Sequence, residues 1–227
     1  TNEVFMSDDL DVVESAPAEK TGKPVIADPM LMSTIGLIGD ITEDTSNEVT
    51  FSLLMLHEKK TTDYIGTVLE MGEEKVNELT DEEFDMLKPN IDFYISTNGG
   101  SADEMFGMYD VMRFIKNDGI TSITTCGIGK VMSAGVLLLA AGTKGKRRVG
   151  KHCRIMIHSV IGGSTGPMHQ LENEFAEVKK IQDTYIKALV EETNMSEKYL
   201  RRLLKRKTNI YLSAEEAVEL GIADEVF

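Results

Sequence analysis

The sequence predicts an α/β fold with largely parallel strands. Three observations lead there. Short runs rich in β-branched and aromatic residues recur along the chain, among them IDFYIST (91–97), GITSITTCGI (119–128) and RIMIHSV (154–160). Segments with apolar residues at the 3–4 spacing of an amphipathic helix lie between them. Capping signatures mark where several of those helices begin.

The first strand is expected in STIGLIGDI (33–41). TSNE (45–48) reads as a capping box, the Thr45 hydroxyl accepting from an N3 amide while Glu48 reaches back, and should open the helix EVTFSLLMLHEKK. Residues 61–90 are charged and mixed, with a second box, TDEE (80–83), and a stop at Pro89. The strand IDFYIST runs into NGG (98–100), and the next segment puts Met105, Met108, Met112 and Ile115 on one helical face. GITSITTCGI then gives a strand, SAGVLLLAAG (133–142) a buried helix, and RIMIHSV another strand. A long helix over about 167–193 and a short basic one over 196–207, SEKYLRRLLKRK, follow. A capping box from Ser213 to Glu216 opens the last helix, Gly221 stops it, and a strand closes the chain.

Residues 1–25 are rich in Asp, Glu, Ser, Pro and Lys without apolar periodicity, and are expected as a mobile acidic tail. Residues 26–227 are expected as one folded domain carrying an insertion at about 61–90. The 227 residues can bury a sizeable core, which in the absence of Trp must rest on Leu, Ile, Val, Met and Ala. A net charge of −14 argues against nucleic acid and anionic membrane as partners, because both need a basic face. LRRLLKRK stands out in so acidic a chain and reads as a solvated or inter-subunit face. Cys126 and Cys153 lie in apolar stretches outside any C-x-x-C pair, so neither a disulfide framework nor a zinc site is expected. GTKGKR (142–147) lacks the first Gly and the Ser/Thr of a phosphate-binding loop, and HCRIMIH matches no familiar metal spacing. No run approaches the length of a membrane span, and the N-terminal residues lack the features of a secretory signal, which makes the cytoplasm the default compartment.

Three sites could carry chemistry. Ser133 stands at a strand-to-helix turn, where it either caps the helix or presents its Oγ as a nucleophile beside free N–H groups. In the second case Ala134 N–H is one oxyanion donor. His158 ends a strand whose alternation sets Ile155 and Ile157 on one side and Met156 and His158 on the other. It is either a hydrogen-bonded core histidine or a general base. TNGGS (97–101) is either a tight turn or a place where side-chain-free backbone meets a substrate carbonyl, which makes Gly100 N–H a second oxyanion donor.

Taken together these residues resemble the Clp protease proteolytic subunit (ClpP) family. FYISTNGGSADEMFGMYDVMRFIK is similar to its strand, glycine turn and first long helix, and GKVMSAGVLLLAAGTKGKRR to its nucleophile block. RIMIHSVIGG resembles the histidine block, at the family's own spacing of 158 − 133 = 25 residues, and YLSAEEAVELGIADEV the C-terminal signature. The resemblance implies a ClpP/crotonase-like fold of repeated β-β-α units with a long handle helix at about 167–193. It implies a serine endopeptidase with Ser133 and His158 as catalytic residues, and SVIGGSTG bordering a groove that binds peptide as an added strand. It further implies heptameric rings paired into a tetradecamer and unfolded protein substrates fed by an AAA+ unfoldase. That partner uses ATP, and this subunit needs no cofactor.

Three features depart from the family pattern. Where the family places its third catalytic residue, an Asp two residues before the aromatic of YLSA, this chain has Asn209. Counting from Ser196 instead reaches Lys207, so neither register supplies a carboxylate. A Ser133–His158–Asn209 site is therefore expected to be slow, since Asp-to-Asn costs about 10⁴ in rate in a serine-protease triad. The insertion at 61–90 and the N-terminal KPVIADPMLMST, which lacks the family's pore-loop motif, are the other two. Two rival readings stay open: a ring subunit of structural or regulatory use, and an acyl-CoA enzyme of the crotonase fold.

Overall fold

A computed structural model describes residues 33–205 and 208–227. The expected acidic tail and most of KPVIADPMLMST, together with Arg206 and Lys207 of the expected basic helix, lie outside the described residues. The elements in chain order are β1 (Thr34–Ile38), α1 (Glu43–Glu78), α2 (Asp81–Leu87), β2 (Asn90–Thr97), α3 (Ala102–Lys116), β3 (Ser122–Met132) and α4 (Ala134–Ala140). They continue as β4 (Arg147–Val149), β5 (Arg154–Ile157), α5 (Met168–Glu192), α6 (Glu197–Leu204), β6 (Ile210–Leu212), α7 (Ala214–Glu219) and β7 (Glu225–Val226). The strands form one mixed sheet flanked by helices. Its main path, β1-β2-β3-β4-β7, is parallel throughout, and β5 joins β3 in parallel while β6 pairs antiparallel with β5.

The α/β expectation therefore holds in its coarse form. Strand and helix alternate along the chain, and among the described residues two strands follow each other directly only at β4–β5. A repeating β-β-α unit is not what the element order shows. β3 explains part of that difference, because one continuous strand serves two neighbours. Thr125–Gly127 pair with β4 and Lys130–Met132 pair with β5. Gly129, at φ 64°, breaks the register between these halves, and the pairing with β2 shifts at the same place. The bend ends β3 at the turn that carries Ser133.

The first helix begins earlier than the TSNE box suggested. Thr42 is the N-cap, and Thr45 occupies N3 and returns the bond to the cap, so Glu43 and Asp44 fill the acidic first turn. The segment from 61 to 78 continues α1 as helix up to and past a break at Gly72 (φ 76°, ψ 160°). TDEE caps α2 as expected, through Thr80 and Glu83.

The core sits where α3 and α4 cover β2 and β3. β2 alternates strictly, burying Ile91, Phe93 and Ile95, and the α3 face of Met105, Met108, Met112 and Ile115 is wholly inside. All seven residues of α4 are buried, so this helix is a central strut with no solvent face. Gly135 lets it approach β2, since a Cβ there would lie 2.3 Å from Thr97 Cγ2. In α6 the leucines Leu200, Leu203 and Leu204 face inward, and the basic face is exposed, with Arg201 bonded to Glu197 and Asp183.

A buried cation locks the C-terminal end. The Arg147 guanidinium donates to both Asp224 carboxylate oxygens and to the carbonyls of Ala140, Glu192 and Gly221. Burial alone would raise the Asp224 pKa, but the Arg147 side chain and the amides of Arg147 and Gly145 hold it below the ordinary value. A carboxylate depressed in the folded state adds stability above the unfolded pKa of about 3.9 and loses it as pH falls through the folded value. Asp224→Asn is accordingly expected to cost about 3 kcal/mol at neutral pH, because it leaves Arg147 charged and only partly paired. The difference from wild type should shrink as pH drops below about 4. Urea melts at neutral pH and pH 3 check both statements.

Candidate functional site

Four segments converge on one cleft of about 360 Å³. Asn98, Gly100 and Ser101 come from the turn after β2, Ser133 and Ala134 from the start of α4, and His158 and Val160 from beyond β5; Tyr185 comes from α5. The structure thus brings together Ser133, His158, Gly100 and Ala134, four of the five residues singled out in the sequence.

Ser133 does not cap its helix. It makes no side-chain cap bond, and its backbone adopts φ 56° and ψ −123°, the only positive φ at a non-glycine among the described residues. Such a conformation costs of order 1–3 kcal/mol and persists only where the surroundings impose it. Here they do. Ser133 N–H donates to Met156 O of β5 at 2.7 Å, while Ser133 O accepts from Val136 N–H and from the Tyr185 hydroxyl, each at 3.0 Å. Gly99 closes the remaining side. A Cβ on Gly99 would stand 2.6 Å from Ser133 Cβ, and its φ of 99° also suits glycine.

Two N–H groups are left for the cleft. Ala134 is the first helical residue, so its N–H has no intrahelical partner. Gly100 forms a parallel bridge with Ile41, in which Gly99 O accepts from Ile41 N–H and Ser101 N–H donates to Ile41 O. That pattern leaves the Gly100 N–H on the side away from Ile41.

His158 is half-buried just past β5, and its Nδ1 bonds to the Ser159 carbonyl. A carbonyl can only accept, so Nδ1 donates in this bond, the tautomer that in a neutral imidazole leaves Nε2 as the acceptor. Among the described residues no hydrogen bond joins His158 to Ser133 or to Asn209. Such bonds are often long before substrate arrives. Asn209 is exposed and lies outside the cleft lining. The β5–β6 ladder ends at the pair Ile157–Ile210, so His158 and Asn209 are the next residues of the two chains beyond its last rung.

The remaining walls are apolar. Met105, Val160, Ile161 and Ile181 line the cleft beside Ser133. Sequence reasoning missed Tyr185 and the specific role of Gly99. The signal for Tyr185 was present, as a tyrosine among the apolar positions of α5 with Ile181 and Leu189, because a buried phenol needs a partner. Away from the cleft, Ser122 Oγ donates to Asn90 Oδ1 at 2.8 Å and ties the starts of β2 and β3 together. His57 nearby bonds to Thr121 instead. Among the described residues no group of three or more His, Cys, Asp and Glu could hold a metal ion, and no helix is long and apolar enough to cross a membrane.

The family model described as Clp protease matches residues 70–227, most of the chain and all of the cleft.

Proposed function

Because this chain belongs to the Clp protease family and is a serine-type endopeptidase of that kind, we propose that it cleaves peptide bonds through an acyl-enzyme on Ser133. Ser133 Oγ attacks the peptide carbonyl while His158 Nε2 takes its proton. The N–H groups of Gly100 and Ala134 hold the oxyanion, and His158 then protonates the leaving amine. Water, activated by the same imidazole, releases the acyl group. The strained backbone of Ser133, held across a cleft from a histidine with a free Nε2, is the observation that carries this reading.

Asn209 completes the site as the residue that steadies His158. Its amide oxygen can accept Nδ1–H in place of the Ser159 carbonyl, as in Cys-His-Asn sites, without stabilising the imidazolium by charge. Unfolded chains are the substrate class, laid extended along the irregular segment that carries Val160 and Ile161. A crotonase-like fold, heptameric rings stacked as a tetradecamer, and an AAA+ unfoldase that hydrolyses ATP complete this reading. The exposed Phe51 and Met55 on α1 support further subunit contact. The absent carboxylate favours one second reading, a ring subunit of low intrinsic activity with a structural or regulatory role.

Incubation with a dye-labelled unfolded protein tests the proposal. Peptide release that stops with a serine-directed inhibitor is expected. Intact substrate with a fully assembled, inhibitor-unreactive protein would favour the second reading. Gly99→Ala offers a local check: displacing Ser133 by about an ångström to relieve the clash is expected to lower kcat about a hundredfold, read on a fluorogenic peptide alongside the thermal midpoint.

A further inference from the structure

Tyr185 lies on α5, far in sequence from the turn it touches, and is nearly fully buried. Its hydroxyl donates to Ser133 O at 3.0 Å, and that same oxygen accepts from Val136 N–H. Burial pushes the phenol pKa well above its ordinary value, so it remains a donor at any working pH. What this bond controls follows from peptide geometry. Ser133 O and Ala134 N–H belong to one planar peptide group, and in a trans peptide they point in opposite directions. Fixing the oxygen on the Tyr185 hydroxyl therefore also fixes the direction of the N–H, which points away from that bond.

We propose that Tyr185 is a positioning residue for the oxyanion site, clamping the Ser133–Ala134 peptide plane so that Ala134 N–H faces the substrate carbonyl. The inference rests on Ser133 being the nucleophile. Two effects add. The clamp opposes rotation of a plane that the strained φ of Ser133 would otherwise allow to relax. Donation to the carbonyl also polarises the amide, which makes its N–H the better donor. Both matter more in the tetrahedral state than in the bound substrate, because the negative charge exists only there.

Tyr185→Phe removes the hydroxyl and keeps the ring. It is expected to lower kcat about tenfold while KM stays within about twofold. A peptide aldehyde, which forms a tetrahedral adduct on the serine, should lose affinity by the same factor. Tyr109→Phe is the control, since that hydroxyl bonds Glu192 away from the cleft, and it should alter the thermal midpoint without the kinetic split. An unchanged kcat and aldehyde affinity in Tyr185→Phe would overturn the proposal, as would a matching rise in KM alone. If the wild type forms no aldehyde or fluorophosphonate adduct on Ser133, the site reading itself fails and the positioning role with it. Should Tyr185→Phe melt below the assay temperature, both variants and the wild type are compared below its midpoint, where an unchanged kcat and aldehyde affinity likewise overturn the clamp.

Discussion

Asn209→Asp is expected to raise kcat on a fluorogenic peptide by about a hundredfold or more, with KM little changed. The β5–β6 ladder ends at Ile157–Ile210, and His158 and position 209 are the residues immediately beyond that last pair. A carboxylate there would accept Nδ1–H in competition with the Ser159 carbonyl, which now holds it. It would also stabilise the imidazolium formed when Ser133 gives up its proton. At about 4 Å and an effective dielectric of 20, two unit charges attract by about 4 kcal/mol, equivalent to roughly a thousandfold. Position 209 is exposed, so solvent screening trims that figure toward the hundredfold level. The loss of about 10⁴ on removing the Asp of a serine-protease triad sets the upper bound. The gain should follow the ionised carboxylate and His158 in its neutral form, so a kcat–pH profile belongs in the same experiment. A rate equal to wild type would place Asn209 away from His158 during turnover.

The second large effect is the loss expected from Ser133→Ala. In an intact triad, deleting the serine costs about 10⁶ in kcat. Part of that is already forfeited here by the missing carboxylate, and losses within one catalytic unit do not add. A fall of about 10⁴ is therefore expected, to the level that oxyanion donors and binding alone sustain. The double variant Ser133→Ala with Asn209→Asp should be as inactive as Ser133→Ala itself. That result would show that the gain at position 209 passes through the serine. Stability should change little in either variant, because Ser133 Oγ has no hydrogen bond to lose in capping α4.

The local patterns in the sequence carried much of the fold. Strict alternation in β2 and the methionine face of α3 appear as expected, because both record burial against one layer. The Ser213–Glu216 box and the Gly221 stop are local chemistry and need no tertiary context. The start of α1 was different. Thr42 and Thr45 are both competent caps, and the choice is associated with the bridge of Ile41 to Gly100, a contact between distant segments. β4 escaped notice because three residues are too few to show a period, and its central partner contacts lie in β3 and β7. The same division applies at the cleft. Residue type and spacing pointed to Ser133, His158, Gly100 and Ala134, which the fold gathers in one place. The left-handed backbone of Ser133 was not legible, because β5, α5 and the Gly99 turn impose it together, and of the Tyr185 bond only the buried phenol's need for some partner could be read. Asn209 could be named from the motif, but its relation to His158 depends on a strand register that no local pattern encodes.

The central claim is that Ser133 is an activated nucleophile despite the asparagine at position 209. Intact mass after fluorophosphonate treatment, on wild type and Ser133→Ala, tests it most directly. One adduct per chain on the wild type, absent from the variant, is the predicted result. An assembled wild type that takes up no adduct, or a Ser133→Ala protein that is labelled equally, would contradict the account.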